Sequence, residues 1–237
     1  MIVGRGRKLE RFAEIKTFPN VFEPDGKEIK LRDYHLKGKW GSEYFQNNKP
    51  LVLELGCGKG EYTVGLAEKY PGRNFIGLDI KGARMWKGAK YAVNNNVSNA
   101  AFIRTRIEFI ERIFDNSEVS EIWITFPDPY PKKPNNRLSS SIFLNRYRNI
   151  VKPGGVIHLK TDSMQLHDYT LAVLEASGVK PEAADNNIYM SGEPDDENLS
   201  LKTFYEKMFL EEGKPITYIR FRISPEVKFS ETDKAWE

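Results

Sequence analysis

Two places in the chain combine residue types and spacings that could do chemistry. The first is "ELGCGKG", in which Glu54 is followed by Gly56, Gly58 and Gly60, with Asp79 standing 25 residues beyond Glu54. Closely spaced glycines let a backbone bend sharply and approach a ligand closely. Carboxylates at strand ends offer acceptors for hydroxyl or amino donors. The second place is "FPDPYPKKPNNRL", residues 126 to 138, where Asp128 lies between Pro127 and Pro129. The fixed φ of the prolines lowers the entropy lost on ordering such a loop, which is a way to hold one carboxylate still. A proline-rich turn also simply ends many strands, so its place in the fold has to decide.

The spacing E-x-G-x-G-x-G differs from the dinucleotide fingerprint G-x-G-x-x-G. Position 61 is Glu, and an acid precedes the glycines where a pyrophosphate would be repelled. A ligand with a cationic or neutral part suits that acid better, and the ammonium and sulfonium of S-adenosylmethionine are such parts. Asp79 is placed to accept hydrogen bonds from both hydroxyls of an adenosine ribose. The bland alternative is that the glycines only make a tight turn and Asp79 caps the next helix. Cys57, flanked by glycines and with no His near it in sequence, reads as a small packing residue. Thr105 and Arg106, in "IRTRIE", are placed to reach an adenine, although a solvent-exposed Arg at a helix start fits equally well.

The elements that must position these residues follow from periodicity. "LVLEL", "NFIGLDI", "AAFIRTR", "EIWITF" and "GVIHLKTD" read as strands. Between them, helical patterns run through "EYTVGLAEKY", "KGARMWKGAKYAVNNN", "IEFIERIF" and "SIFLNRYRNIV", the last stopped by "KPGG". "MQLHDYTLAVLEASG" is a further helix. An acidic, loop-like segment, a helix from about Ser200 to Glu212 and a strand "ITYIRFRI" complete the pattern. Alternation with short connections predicts an α/β fold whose mostly parallel sheet is covered by helices on both faces, with the last strand joining antiparallel. In such a sheet ligands bind beyond the carboxyl ends of the strands, where Glu54, Asp79 and Asp128 all fall.

Bulk properties narrow the function classes. Of 237 residues, 40% are hydrophobic and 29% charged, ordinary for one globular α/β domain with extra segments at its ends. We read 1–45 as a basic N-terminal segment, 46–224 as the catalytic domain and 225–237 as a C-terminal tail. The single cysteine rules out an internal disulfide and a Cys-based zinc site, and no apolar run reaches the length of a membrane span. A reducing cytoplasm fits, with no membrane. His35, His158 and His167 lack metal-ligand spacing and read as structural, so no metal is expected. The net charge of +3 is uneven: residues 1–40 hold ten Lys/Arg against six Asp/Glu, and residues 182–197 hold six acids and no base. That asymmetry allows a nucleic-acid partner, and it equally fits a solvated face or a loose N-terminal arm.

"LELGCGKG", "FPDPYPKK", "LKTD" and "TFYE", in that order, give the chain its resemblance to the tRNA (guanine-N7)-methyltransferases of the bacterial type, from about Phe12 to Phe221. The first motif is common to many methyltransferases, whereas the combination is specific. The resemblance implies a Rossmann-like, S-adenosylmethionine-dependent methyltransferase fold and methyl transfer to N7 of a guanosine in the tRNA variable loop. It implies that Glu54, Gly56, Asp79 and Asp128 serve the cofactor, with Thr105 and Arg106 in a slot where the family commonly has Asp or Asn. Asp128 is then the catalytic residue. Lys132, Asp162 and the run Thr203, Phe204, Tyr205 and Glu206 make up the nucleotide side.

Two departures stand out. Tyr130 replaces the family's usual Trp, and "KPNNR" replaces a His- and Arg-rich cluster. Each nucleotide-side residue also has a plainer reading: Asp162 as a cap for the helix near Ser163, Glu206 as a surface helix residue, Tyr205 as core. Two rival functions stay open, a methyltransferase of the same fold acting on a small molecule or protein, and a noncatalytic RNA-binding protein. Monomer and homodimer are both compatible with the sequence.

Overall fold

In the computed structural model, which describes residues 3–232, the chain forms two compact units, Met1–Phe114 and Asp115–Glu237. In the first, β1 (Val21–Phe22), β2 (Leu51–Leu55), β3 (Asn74–Asp79) and β4 (Ala100–Arg104) lie in the order β1-β4-β3-β2, and every pairing is parallel. β2 and β3 are buried at every position, Glu54 and Asp79 included, and their otherwise largely apolar runs suit strands covered on both faces. Helices α1 (Val3–Glu14), α2 (Glu61–Lys69), α3 (Gly82–Asn94) and α4 (Ile110–Ile113) complete the unit. α2 follows β2 through the glycine turn, and α3 follows β3 after Asp79.

The N-terminal segment, whose charge fits a solvated face and a loose arm equally well, carries a docked helix. α1 docks on α3 through charge and aromatic faces: Trp86 and Lys90 each donate to the Glu14 carboxylate at 2.7 Å, and the Arg11 guanidinium lies 4.7 Å from the Trp86 ring centre. The Arg104 guanidinium, at the end of β4, covers Phe12 at 4.7 Å. Cation–π and charged hydrogen bonds thus take the place of an aliphatic stripe.

In the second unit, β5 (Val119–Thr125) and β6 (Val151–Thr161) are parallel, while β8 (Thr217–Ile223) pairs antiparallel with both β6 and β7 (Ala183–Asp185). The order is β5-β6-β8-β7. The antiparallel last strand is as expected, but the acidic segment is not wholly loop, since it contributes β7. α5 (Ser141–Ile150), α6 (Met164–Ala176) and α7 (Phe204–Glu211) belong to this unit. α5 ends just before "KPGG", and β6 runs through those residues, absorbing them in a register shift opposite Val119 to Glu121 with Gly154 at φ 75°.

After β8 the chain returns along α5. Asn145 exchanges two hydrogen bonds with the Phe229 backbone at 2.8 and 3.0 Å, and Arg148 donates to the carbonyls of Pro225 and Val227 at 3.2 and 2.8 Å. No helix among the described residues is long and apolar enough to cross a membrane.

Candidate functional site

The glycine turn is built by its neighbours as much as by its glycines. Gly56, Gly58 and Gly60 all have positive φ, at 76°, 54° and 71°. At Gly60 a Cβ would lie 2.5 Å from the Phe102 ring, whereas at Gly58 the nearest atom would be 3.9 Å away, so the turn is open on that side. Gly60→Ala is therefore expected to cost about 2–4 kcal/mol of unfolding free energy, combining strain with overpacking, and Gly58→Ala about 1–2 kcal/mol from strain alone. Urea unfolding of the two variants checks the ordering; equal costs would mean that contact with Phe102 is irrelevant.

Both acids are anchored to this turn. Asp79, at the end of β3, accepts from the Gly58 amide through Oδ2 at 2.9 Å and from the Lys81 amide through Oδ1 at 2.7 Å. One lone pair on each oxygen is thereby used, and each oxygen keeps capacity for a second donor such as a ribose hydroxyl. The open face at Gly58, next to a carboxylate that fixes that residue's amide, suits a ribose and fits S-adenosylmethionine. Glu54 is buried, and its Oε2 accepts from both the amide, at 2.8 Å, and the hydroxyl of Thr63 in the first turn of α2. That grip fixes its orientation at a helix N-terminus, where a negative charge is favoured.

Cys57 is buried between these acids. Burial, followed by the charges of Glu54 and Asp79, pushes its thiol well above the ordinary value, so it stays protonated and packs. Thr105 is buried and its amide donates to the Asp79 carbonyl at 3.1 Å. Arg106 is exposed and paired with Glu108 at 2.7 Å, just ahead of the short 3₁₀ turn Ile107–Phe109.

In the second unit, β5 ends in the Asp128 loop. Phe126 and Tyr130 adopt the left-handed region at φ 49° and 43°, which costs a non-glycine residue about 1–3 kcal/mol each and persists only when surroundings enforce it. Asp128 sits between them, exposed, with Lys132 exposed two residues after Tyr130. One fastening is visible at the entry, where the Phe126 amide donates to the Lys160 carbonyl at 2.8 Å. The exit is held by a residue that sequence reasoning passed over. Arg137, the Arg of "KPNNR", has no exposed surface and donates to the carbonyls of Pro129, Tyr130 and Pro131 at 3.1, 3.2 and 3.4 Å.

The nucleotide-side residues divide. Asp162 is half-buried and does not cap α6; Ser163 does, accepting from the Leu166 amide at 3.2 Å. Burial raises the Asp162 carboxyl above its ordinary value, while its backbone and the Lys214 ammonium pull the other way. Phe204 is 51% exposed and meets Tyr205 edge to face, and Tyr205 stacks on Phe209, which in turn meets Phe126. An aromatic path therefore connects the start of α7 with the Asp128 loop.

Glu206 does not lie on the surface. It is fully enclosed, its carboxylate 2.6 Å from the equally buried Lys160 ammonium and 2.6 Å from the Tyr189 hydroxyl that donates to it. Thr203 and Glu206 also form the reciprocal capping box of α7, with Thr203 mostly buried. The S/T-x-x-E spacing could have revealed the cap. The ion pair with Lys160, distant in sequence, had no local signal. His158 is likewise interior, stacked on Trp123 at 3.8 Å and sharing a 2.7 Å hydrogen bond with the Tyr218 hydroxyl, and burial lowers its pKa.

Comparison with known proteins places this arrangement. A family model described as "Putative methyltransferase" matches residues 48–219. A tRNA (guanine-N(7)-)-methyltransferase of Christiangramia forsetii is 52% identical over 93% of this chain and 100% of its own length. Its namesake in Bacteroides thetaiotaomicron is 48% identical over 95% of this chain and 89% of its own length. Among solved structures, the 16S rRNA methyltransferase KamB superposes with a TM-score of 0.56 at 18% identity, covering 85% of this chain and 94% of that one, which shows the shared fold. The methyltransferase fold carries the glycine turn and its acids, its relatives match at about half identity over nearly their full length, and the chain belongs to the tRNA (guanine-N(7)-)-methyltransferase family.

Proposed function

We propose that this protein transfers a methyl group from S-adenosylmethionine to N7 of a guanosine in the tRNA variable loop, forming 7-methylguanosine in the cytoplasm. The structural observation that carries the reading is the Asp128 loop, a carboxylate exposed between two left-handed residues whose backbone is fastened from within. Such rigidity suits a group that must meet developing charge without reorganising.

S-adenosylmethionine, when bound, supplies a methyl group made electrophilic by the adjoining sulfonium. Glu54, Gly56 and Asp79 would hold it, with Thr105 and Arg106 on the adenine side. Guanine N7 carries an in-plane lone pair, so no residue has to act as a general base. The protein's work is to align N7 and to favour the positive charge that grows on the purine. Asp128 meets that charge.

Guanine's N1–H and exocyclic amino group are both donors. Asp162, half-buried and not committed to a helix cap, accepts them and so selects guanine over adenine. Phe204 and Tyr205 offer faces on which an extruded base can stack, as does the exposed Tyr130. Lys132 meets phosphate. Glu206 and Thr203 act one step back, by fixing the start of α7 beneath Phe204 and Tyr205.

The direct test is to incubate the protein with methyl-labelled S-adenosylmethionine and unmodified tRNA, then digest the RNA. Label in 7-methylguanosine supports the assignment. A methyltransferase acting on small molecules or proteins would leave the tRNA unlabelled, and a noncatalytic RNA-binding protein would also give no cofactor heat in calorimetry.

A further inference from the structure

The Asp128 loop has a donor shortage. Pro127, Pro129 and Pro131 have no amide hydrogen, so the loop cannot satisfy its own successive carbonyls by ordinary turn bonds. The Lys133 amide bonds the Tyr130 carbonyl at 3.1 Å. Arg137 supplies further donors from below. Its Nε donates to Pro129 and its Nη2 to both Tyr130 and Pro131.

Arg137 is itself held by geometry. The 3₁₀ turn Pro134–Asn136 brings it back under the loop, its own amide bonding the Pro134 carbonyl at 3.0 Å. Its guanidinium lies 4.0 Å from the centre of the Tyr169 ring. The Tyr169 hydroxyl donates to Glu231 Oε1 at 2.6 Å, and the Ser141 hydroxyl donates to Glu231 Oε2 at 2.9 Å. The returning C-terminal segment therefore braces the ring against which the guanidinium rests. Only a planar, multiply donating cation does all of this, because a lysine ammonium offers neither the flat face nor the fork.

We infer that Arg137 is the positioning residue for methyl transfer: from the interior it holds the three carbonyls of residues 129–131, and so sets the backbone from which Asp128 projects. This rests on the assignment of Asp128 to the transfer step. The cations lost from the "KPNNR" segment are not replaced by Arg137 at the surface, because Arg137 is turned inward to build the loop.

The experiment uses full-length Arg137→Lys and Arg137→Gly, both checked for native circular dichroism. Arg137→Lys is expected to reduce kcat for tRNA methylation about 10- to 100-fold, the scale of a misplacement of about 1 Å, with cofactor Kd within about 3-fold of the parent. Hydrogen exchange in a peptide spanning residues 126–138 should quicken at least about 10-fold, a loosened loop being a local opening. In Arg137→Gly, millimolar guanidinium should restore activity several-fold while an equal concentration of sodium chloride does not. Combined with Asp128→Ala, Arg137→Lys should add less than about 3-fold, since a residue that acts through Asp128 has nothing left to position.

Unchanged loop exchange in Arg137→Lys, an unchanged kcat, or fully multiplicative losses in the double variant would each overturn the inference. Its failure is separable from failure of the functional assignment. A parent protein that leaves tRNA unmethylated counts against the assignment, while loop exchange judges the clamp without reference to activity.

Discussion

Asp128→Ala is expected to methylate tRNA about 100- to 1,000-fold more slowly than the parent protein, the usual cost of removing a preorganised electrostatic group from a transition state. Stability should stay within about 0.5 kcal/mol, because Asp128 is exposed and its loop is held through backbone carbonyls and not through its own side chain. The combination of a large kinetic loss and a small thermodynamic one is informative. Single-turnover assays with saturating cofactor and tRNA measure the first, and urea unfolding the second. Asp128→Asn sharpens the test: it retains shape and hydrogen bonding but loses charge, so a loss nearly as large as that of Ala attributes the effect to charge. A fully active Ala variant would remove Asp128 from the mechanism.

Glu206→Ala should do the opposite, lowering stability first. It strips the enclosed Lys160 ammonium of this carboxylate, while the Leu199 and Leu201 carbonyls still accept from it at 2.6 and 3.4 Å. Breaking one side of a buried pair costs about 3–5 kcal/mol, and the lost capping box adds to that. For a chain of this size a fall of roughly 10 °C in the melting midpoint follows. Replacing both partners by apolar residues, Lys160→Met with Glu206→Leu, should recover much of the loss because no charge is then stranded. If Glu206→Ala melted like the parent and only raised KM for tRNA, its carboxylate would be reading the base after all.

The first unit is largely legible in the sequence. β2, β3 and β4 are largely apolar runs of strand length, and the glycine turn stands between β2 and α2, with Asp79 ending β3, where residue type and spacing put them. What escaped was of two kinds. β1 has only two residues, too few for any period to register. α1 docks through Glu14, Arg11 and Phe12 against Trp86, Lys90 and Arg104, so its buried side lacks the aliphatic repeat that identifies an amphipathic helix.

In the second unit the difficulty was direction. Sequence shows that Arg137 and Glu206 are charged, and charge ordinarily means surface. Both are instead fully buried, held by partners that no local pattern announces: three carbonyls around a proline loop for one, and a lysine 46 positions earlier for the other. Asp162 went the other way. Its apparent duty as a cap passed to Ser163, which left the carboxylate available.

The inward turn of Arg137 also bears on how ionic strength will act on this protein. Counterions are displaced from RNA only by cations that reach it. A sealed guanidinium displaces none, and the buried Lys160 is neutralised by Glu206. The segment after Asp128 therefore offers RNA only Lys132 and Lys133, however many basic letters it contains. Under the proposed function, the salt dependence of tRNA binding is then expected to be set by Lys132, Lys133 and exposed cations elsewhere in the chain, with no contribution from Arg137.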